Sequence, residues 1–211
     1  MEVFVDGEAV QVESGATALQ ATRLAGRDVP TLCFDDRMAA FGACRVCLVA
    51  VEGAKGPVAS CTTPCREGMR ISTRDEQANR IAANVVELVI SELPEAPGAH
   101  TELAQVAGQL GVGSPRWTGA THAADHDASH PYLVMQHELC ISCGRCVRAC
   151  DEVQGAFALT ATGRGFDSNI TAGLDAGFAA STCVSCGACA DTCPTDAITE
   201  RFLVDIADQS E

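Results

Sequence analysis

Apolar and other residues alternate from Val3 to Val12, and the alternation breaks at Asp6-Gly7. That dipeptide tolerates the positive φ angles of a two-residue turn, so the segment is expected as a β-hairpin. Ser14 or Thr17 can cap a short helix running to about Gly26. Val46–Val51 and Met69–Thr73 have the length and character of strands. From Gln77 to Leu93 the period changes. Ile81, Val85, Leu88 and Val89 recur at helical spacing, which predicts a helix with those residues facing the core. Pro94 and Pro97-Gly98 end it, and a second helix is expected from Thr101 to Leu110, stopped by Gly111. Residues 111–131, rich in Gly, Ser, His and Ala, read as a linker or irregular surface segment. Tyr132–Met135 reads as a short strand.

Composition adds a constraint. The chain has 211 residues, of which 47% are hydrophobic but only 4% aromatic, and 13 are Cys. So few aromatic side chains leave the C-terminal part short of a core, and bound metal is the usual substitute. No apolar stretch approaches the ~20 residues of a membrane span, and no basic region leads an apolar run at the start. A cytoplasmic location is therefore expected, where thiols stay reduced and clustered Cys act as metal ligands. The net charge of −14 repels nucleic acid and anionic membranes, which argues against DNA binding.

Two Cys runs repeat one pattern. Cys140-Ile141-Ser142-Cys143-Gly144-Arg145-Cys146 and Cys183-Val184-Ser185-Cys186-Gly187-Ala188-Cys189 match at nearly every position, and each is followed by a further Cys, Cys150 and Cys193. This C-x2-C-x2-C-x3-C spacing is that of bacterial two-cluster ferredoxins, in which the fourth Cys of each run ligates the other cluster. The expected sets are Cys140, Cys143, Cys146 and Cys193 for one [4Fe–4S] cluster, and Cys183, Cys186, Cys189 and Cys150 for the second. Structural zinc is the alternative, but zinc sites normally pair two ligands with a more distant second pair.

Nearer the N-terminus, Cys33, Cys44, Cys47 and Cys61 follow C-x10-C-x2-C-x13-C on a long loop. Gly42 and Ala43 beside Cys44 let backbone N–H groups approach sulfur, which suits a [2Fe–2S] cluster in a longer-loop variant of the plant-type spacing. Zinc is again the alternative. Cys65, four residues beyond Cys61, is the odd one out: a ligand swap is the alternative, but it is expected as a small buried or semi-buried residue. His122, His126 and His130 recur every four residues, but their Gly/Ser-rich context predicts a solvated loop. Arg145 and Arg148 either stabilise a reduced cluster or pair with carboxylates. No nucleotide-binding glycine motif, nucleophile elbow or zinc-protease motif occurs. The chain is expected to hold redox centres and no catalytic residues.

The fold class expected is α+β. A β-grasp [2Fe–2S] ferredoxin domain takes residues 1–75, a helical connecting segment 76–112 and a linker 113–131. A bacterial-type two-[4Fe–4S] ferredoxin domain takes 132–211.

Cys33–Cys61, with Thr62-Thr63-Pro64 and Glu67-Gly68-Met69, resembles the [2Fe–2S] domain of three kinds of protein. These are the large iron–sulfur subunit of respiratory complex I, the diaphorase iron–sulfur subunit of NAD-reducing [NiFe] hydrogenases, and the N-terminal part of NAD-dependent formate dehydrogenase alpha subunits. Cys146–Gly155, Gly163–Asp167 and Cys183–Pro194 are most similar to the formate dehydrogenase branch. The resemblance implies an electron relay between a flavin subunit that reacts with NAD and a molybdenum or tungsten formate dehydrogenase subunit. A place in a NAD-reducing hydrogenase is the alternative, and a free ferredoxin-like shuttle a further one. In these families a His and three Cys between the two regions hold an additional [4Fe–4S] cluster. The matching stretch, Ser91–Leu103, has no Cys. That cluster is expected to be missing, with His100 an ordinary surface residue. The chain stops where a formate dehydrogenase alpha subunit continues into its molybdopterin-binding domain, so a stand-alone small subunit or a split catalytic subunit is expected.

Overall fold

In the computed structural model, which describes residues 1–122 and 126–208, the chain opens with an antiparallel hairpin of β1 (Glu2–Val5) and β2 (Glu8–Gln11). Asp6 and Gly7 form its turn with φ of 51° and 91°. The Asp6 carboxylate accepts hydrogen bonds from the Thr73 N–H at 2.9 Å and the Thr73 hydroxyl at 2.7 Å. One side chain thus fixes both the turn and the residue that follows the sheet. The helix α1 (Ala18–Leu24) begins at Thr17 with a reciprocal cap: the Gln20 N–H donates to Thr17 Oγ1, and the Thr17 N–H to Gln20 Oε1. Such a cap is worth about 1 kcal/mol.

β3 (Leu48–Val51), β4 (Val58–Ala59) and β5 (Arg70–Ser72) complete a five-stranded sheet in the order β2-β1-β5-β3-β4. β1 and β5 run parallel and the other pairs antiparallel. Val3, Val5, Val49 and Ile71 from the sheet pack with Ala18, Leu19 and Ala21 of α1. Cys47, Cys61 and Cys65 are buried in the same core.

The two helices follow as α2 (Glu76–Ser91) and α3 (Glu102–Gln109). The buried line of α2 differs from the expected one. Ala78, Ala82, Val86 and Ile90 face inward, while Leu88 is 51% exposed and Ile81, Val85 and Val89 are only partly covered. The small Ala78 and Ala82 side chains suit close approach of the helix, so the packing line turns away from the bulkier residues. The chain divides into two compact units, Met1–Phe34, Ala40–Leu88 and Gln105–Arg116 in the first, and Asp35–Ala39, Val89–Ala104 and Trp117 onward in the second.

In the second unit β6 (His126–Asp127) and β7 (Leu133–Gln136) lead into α4 (Arg145–Arg148), β8 (Leu159–Thr162) and β9 (Asn169–Ala172). α5 (Ala188–Asp191), β10 (Ile198–Glu200) and α6 (Arg201–Asp208) follow. The first Cys run lies between β7 and β8, and the second between β9 and β10. β7 pairs with β10 and β8 with β9, all antiparallel. The β7–β10 and β8–β9 pairs thus each join a strand of one repeat to a strand of the other, and β6 pairs with the second edge of β7.

Residues expected as linker contribute β6 and a buried histidine. His130 is 3% exposed, not solvated, because its Nδ1 accepts the N–H groups of Tyr132 and Leu133 and its ring lies edge-on to Phe178. His122 stacks on Phe166 with ring centroids 4.4 Å apart, and His126 pairs with Glu138 at 2.6 Å. The three histidines have separate partners.

Candidate iron–sulfur centres

The N-terminal cysteines sit where the backbone turns tightly. Gly42 and Arg45 adopt φ of 68° and 57° on either side of Cys44. A Cβ on Gly42 would lie 2.9 Å from the Thr62 methyl, so only glycine brings the loop this close. The Cys44 N–H then reaches Cys33 Sγ at 3.4 Å. Cys47 and Cys61 sulfurs lie 3.3 Å apart. The shared hydrogen between that pair lowers the Cys47 thiol to about 6, against burial, and raises Cys61. The charges of Cys33, Cys44 and Cys47 all act on Cys61, so the four sulfurs are drawn to one place. Four thiolates in such a place repel one another until a cationic centre joins them. The donor set fits an iron–sulfur cluster.

Cys65 lies in the apolar core, its N–H bonded to the Ala16 carbonyl at 2.8 Å. Burial alone pushes its thiol up.

The two C-terminal runs fold alike. Ser142 and Gly144 in the first have φ of 51° and 72°, and Ser185 and Gly187 in the second 59° and 76°. These left-handed residues turn each loop so that α4 or α5 starts directly after its glycine. Burial pushes the Cys143 thiol up to about 12, against the Arg145 N–H; Cys193 and Cys140 add to the rise. Burial, then Cys143, Cys140, Cys193 and Cys189, raises Cys146 well above the thiol range. In the second run burial takes Cys189 up to about 12, with Cys183, Cys186 and Cys150 adding to it. So Cys193 stands with the first three cysteines, and Cys150 lies close enough to Cys189 of the second run to act on it. A cavity is lined by Cys140, Cys143, Cys146 and Cys193, walled by Met135, Ile170 and Ile198. Backbone N–H groups reach sulfur here too, Ala158 to Cys150 at 3.2 Å and Ser185 to Cys183 at 3.4 Å. Buried thiols, backbone donors and an apolar wall fit [4Fe–4S] clusters, whose sulfurs surround a core of several atoms. Among the described residues, no three His, Cys, Asp or Glu are arranged to hold a single metal ion.

Residues 1–76 match the family described as 2Fe-2S iron-sulfur cluster binding domain, and residues 139–197 that described as 4Fe-4S dicluster domain. The chain is an iron–sulfur protein. It is 34% identical to the mitochondrial NADH dehydrogenase [ubiquinone] iron-sulfur protein 1 of Solanum tuberosum, over 95% of its own length and 28% of that protein's. To the mitochondrial NADH-ubiquinone oxidoreductase 78 kDa subunit of Candida albicans it is 31% identical, again over 95% and 28%. To the NADP-reducing hydrogenase subunit HndD of Solidesulfovibrio fructosivorans it is 29% identical, over 97% and 37%. The iron–sulfur protein thus spans about a third of the length of the curated relatives it matches. A chain in the crystal structure of a NAD+-reducing [NiFe]-hydrogenase in the H2-reduced state superposes with a TM-score of 0.85 at 28% identity. That fit covers 95% of this chain and 87% of the other.

Between the two regions, His100 is exposed and pairs with Asp196 at 2.7 Å. Thr101 is buried and caps α3, its hydroxyl accepting the Ala104 N–H. No helix among the described residues is long and apolar enough to cross a membrane. The Cys spacing picks out every one of these thiols except Cys65. What it does not reveal is the side chains around them, above all the partners of Arg145.

Proposed function

We propose that this chain is an electron relay holding three clusters: [2Fe–2S] on Cys33, Cys44, Cys47 and Cys61, [4Fe–4S] on Cys140, Cys143, Cys146 and Cys193, and [4Fe–4S] on Cys183, Cys186, Cys189 and Cys150. The β-grasp reading of the first unit belongs to the same proposal, supported by the parallel pairing of β1 and β5 beneath α1. Each cluster, when bound, takes up and returns one electron. The observation that carries the reading is the crosswise arrangement of the last cysteine of each run. It is the ferredoxin arrangement, and a pair of independent zinc sites has no need of it.

The relay would operate in the cytoplasm between a flavin subunit that reacts with NAD and a terminal metal subunit. A hydrogenase as terminal partner is favoured by the fit to the hydrogenase chain over nearly all of both chains. Formate dehydrogenase is favoured by the motifs Cys146–Gly155, Gly163–Asp167 and Cys183–Pro194. Purifying the native complex decides between them: hydrogen-dependent NAD reduction with copurifying nickel supports the first, formate-dependent reduction with molybdenum or tungsten the second. A chain that copurifies with nothing and runs as a monomer is a free shuttle. Roughly ten irons per chain are expected from two, four and four. About fourteen would mean that a further cubane is held near His100, and zinc in place of iron would overturn the relay.

A further inference from the structure

Arg145 is the point at which the two Cys runs differ most in chemistry, since the second has Ala188 there. Its side chain is 7% exposed. Nε donates to Thr192 Oγ1 at 2.9 Å, beside Cys193; Nη1 donates to Glu102 at 2.6 Å, and Nη2 lies 3.5 Å from Asp35. Thr192 donates in turn to Asp35 at 2.8 Å. The guanidinium is therefore fixed between two backbone segments that carry Cys143, Cys146 and Cys193. A buried cation so placed favours the more reduced, more negative state of a nearby centre. The two alternatives left open by the sequence, cluster stabilisation and pairing with carboxylates, are here one arrangement: the carboxylates hold the cation in place.

We propose that Arg145 is a positioning residue that holds the cluster of Cys140, Cys143, Cys146 and Cys193 at a higher reduction potential than alanine at that position would give. This rests on the ligand sets proposed above. Glu102 and Asp35 offset part of the charge, but the sign of each substitution does not depend on that offset. Removing Arg145 subtracts one positive charge beside the cluster. Removing Glu102 subtracts one negative charge from the same group.

The experiment is an EPR-monitored redox titration of the full chain purified anaerobically, preceded by iron analysis. A wild-type chain without two [4Fe–4S] signals fails the relay reading itself, before the inference is reached. With both signals present, Arg145→Ala is expected to make one of them harder to reduce by about tenfold, a shift of about 59 mV for one electron, and to leave the other unmoved. Arg145→Lys is expected to shift it less. Glu102→Gln, at a half-exposed carboxylate on the first turn of α3, is expected to shift the same signal the opposite way. Opposite signs separate an effect of charge from structural damage. The inference is overturned if Glu102→Gln moves neither signal, if it moves the signal the same way as Arg145→Ala, or if both signals shift together.

Discussion

The crossed ligand sets proposed above make a prediction that single substitutions cannot deliver. Cys193 acts on Cys140, Cys143 and Cys146, while Cys150 acts on Cys189. If each set of four holds one cubane, two ligands of the same set are redundant targets and two ligands of different sets are independent ones. From roughly ten irons per chain, Cys140→Ala should leave about six. Adding Cys193→Ala should remove nothing more, because that cluster has already gone. Adding Cys150→Ala instead should take the count to about two, the [2Fe–2S] cluster alone. Iron and sulfide analysis of anaerobically purified protein gives the counts, and EPR of the reduced protein shows which signal remains. Sequence neighbours would be expected to share a cluster if each run acted by itself. In that case the Cys140/Cys150 pair would leave about six irons and the Cys140/Cys193 pair about two. That reversal would refute the crossed assignment.

Three further outcomes follow from particular side chains. Burial works to raise the Asp6 carboxyl, but the Thr73 hydroxyl and N–H, then Arg74 and Arg27, outweigh it and hold it below the usual range. Asp6→Asn should therefore cost about 1–3 kcal/mol in denaturant unfolding. Because the folded value is depressed, that difference should stay constant from pH 8 to pH 5 and shrink only below about pH 4; shrinkage near neutrality would refute it. Gly163 has φ of 69°, and a Cβ there would collide with the Asp167 carbonyl oxygen. Gly163→Ala should lower the melting temperature far more than Gly155→Ala, where φ is 71° but the space is open and the cost about 1 kcal/mol. Cys65→Ala should leave the [2Fe–2S] EPR spectrum unchanged, and loss of that spectrum would make Cys65 a ligand.

Features set by neighbours in sequence were legible before the structure was known. The Asp6-Gly7 turn, the Thr17 cap and the Cys spacings all depend on a few adjacent residues. The inward line of α2 was not, because size misleads there: Ala78 and Ala82 pack while Leu88 faces solvent. The short strands β8, β9 and β10 carry little pattern of their own and owe their pairing to the repeat. His130 looked like a loop residue because its acceptor role depends on the turn into Tyr132 and Leu133. Arg145 was visible as a charge, but Glu102 and Asp35 lie 43 and 110 residues earlier in the chain.

The segment Asp35–Ala39 belongs with the second unit although residues on both sides belong with the first. Its Asp35 is bonded to Thr192 across 157 residues of sequence. On the ribosome, that segment emerges long before its partner. The second unit cannot close until all the residues between them have been made, so its folding is slow by topology and late by birth order. The cysteines of the first unit, by contrast, are all exposed to the cell's iron supply long before Cys193 leaves the exit tunnel. The order of synthesis therefore favours filling the proposed [2Fe–2S] site first.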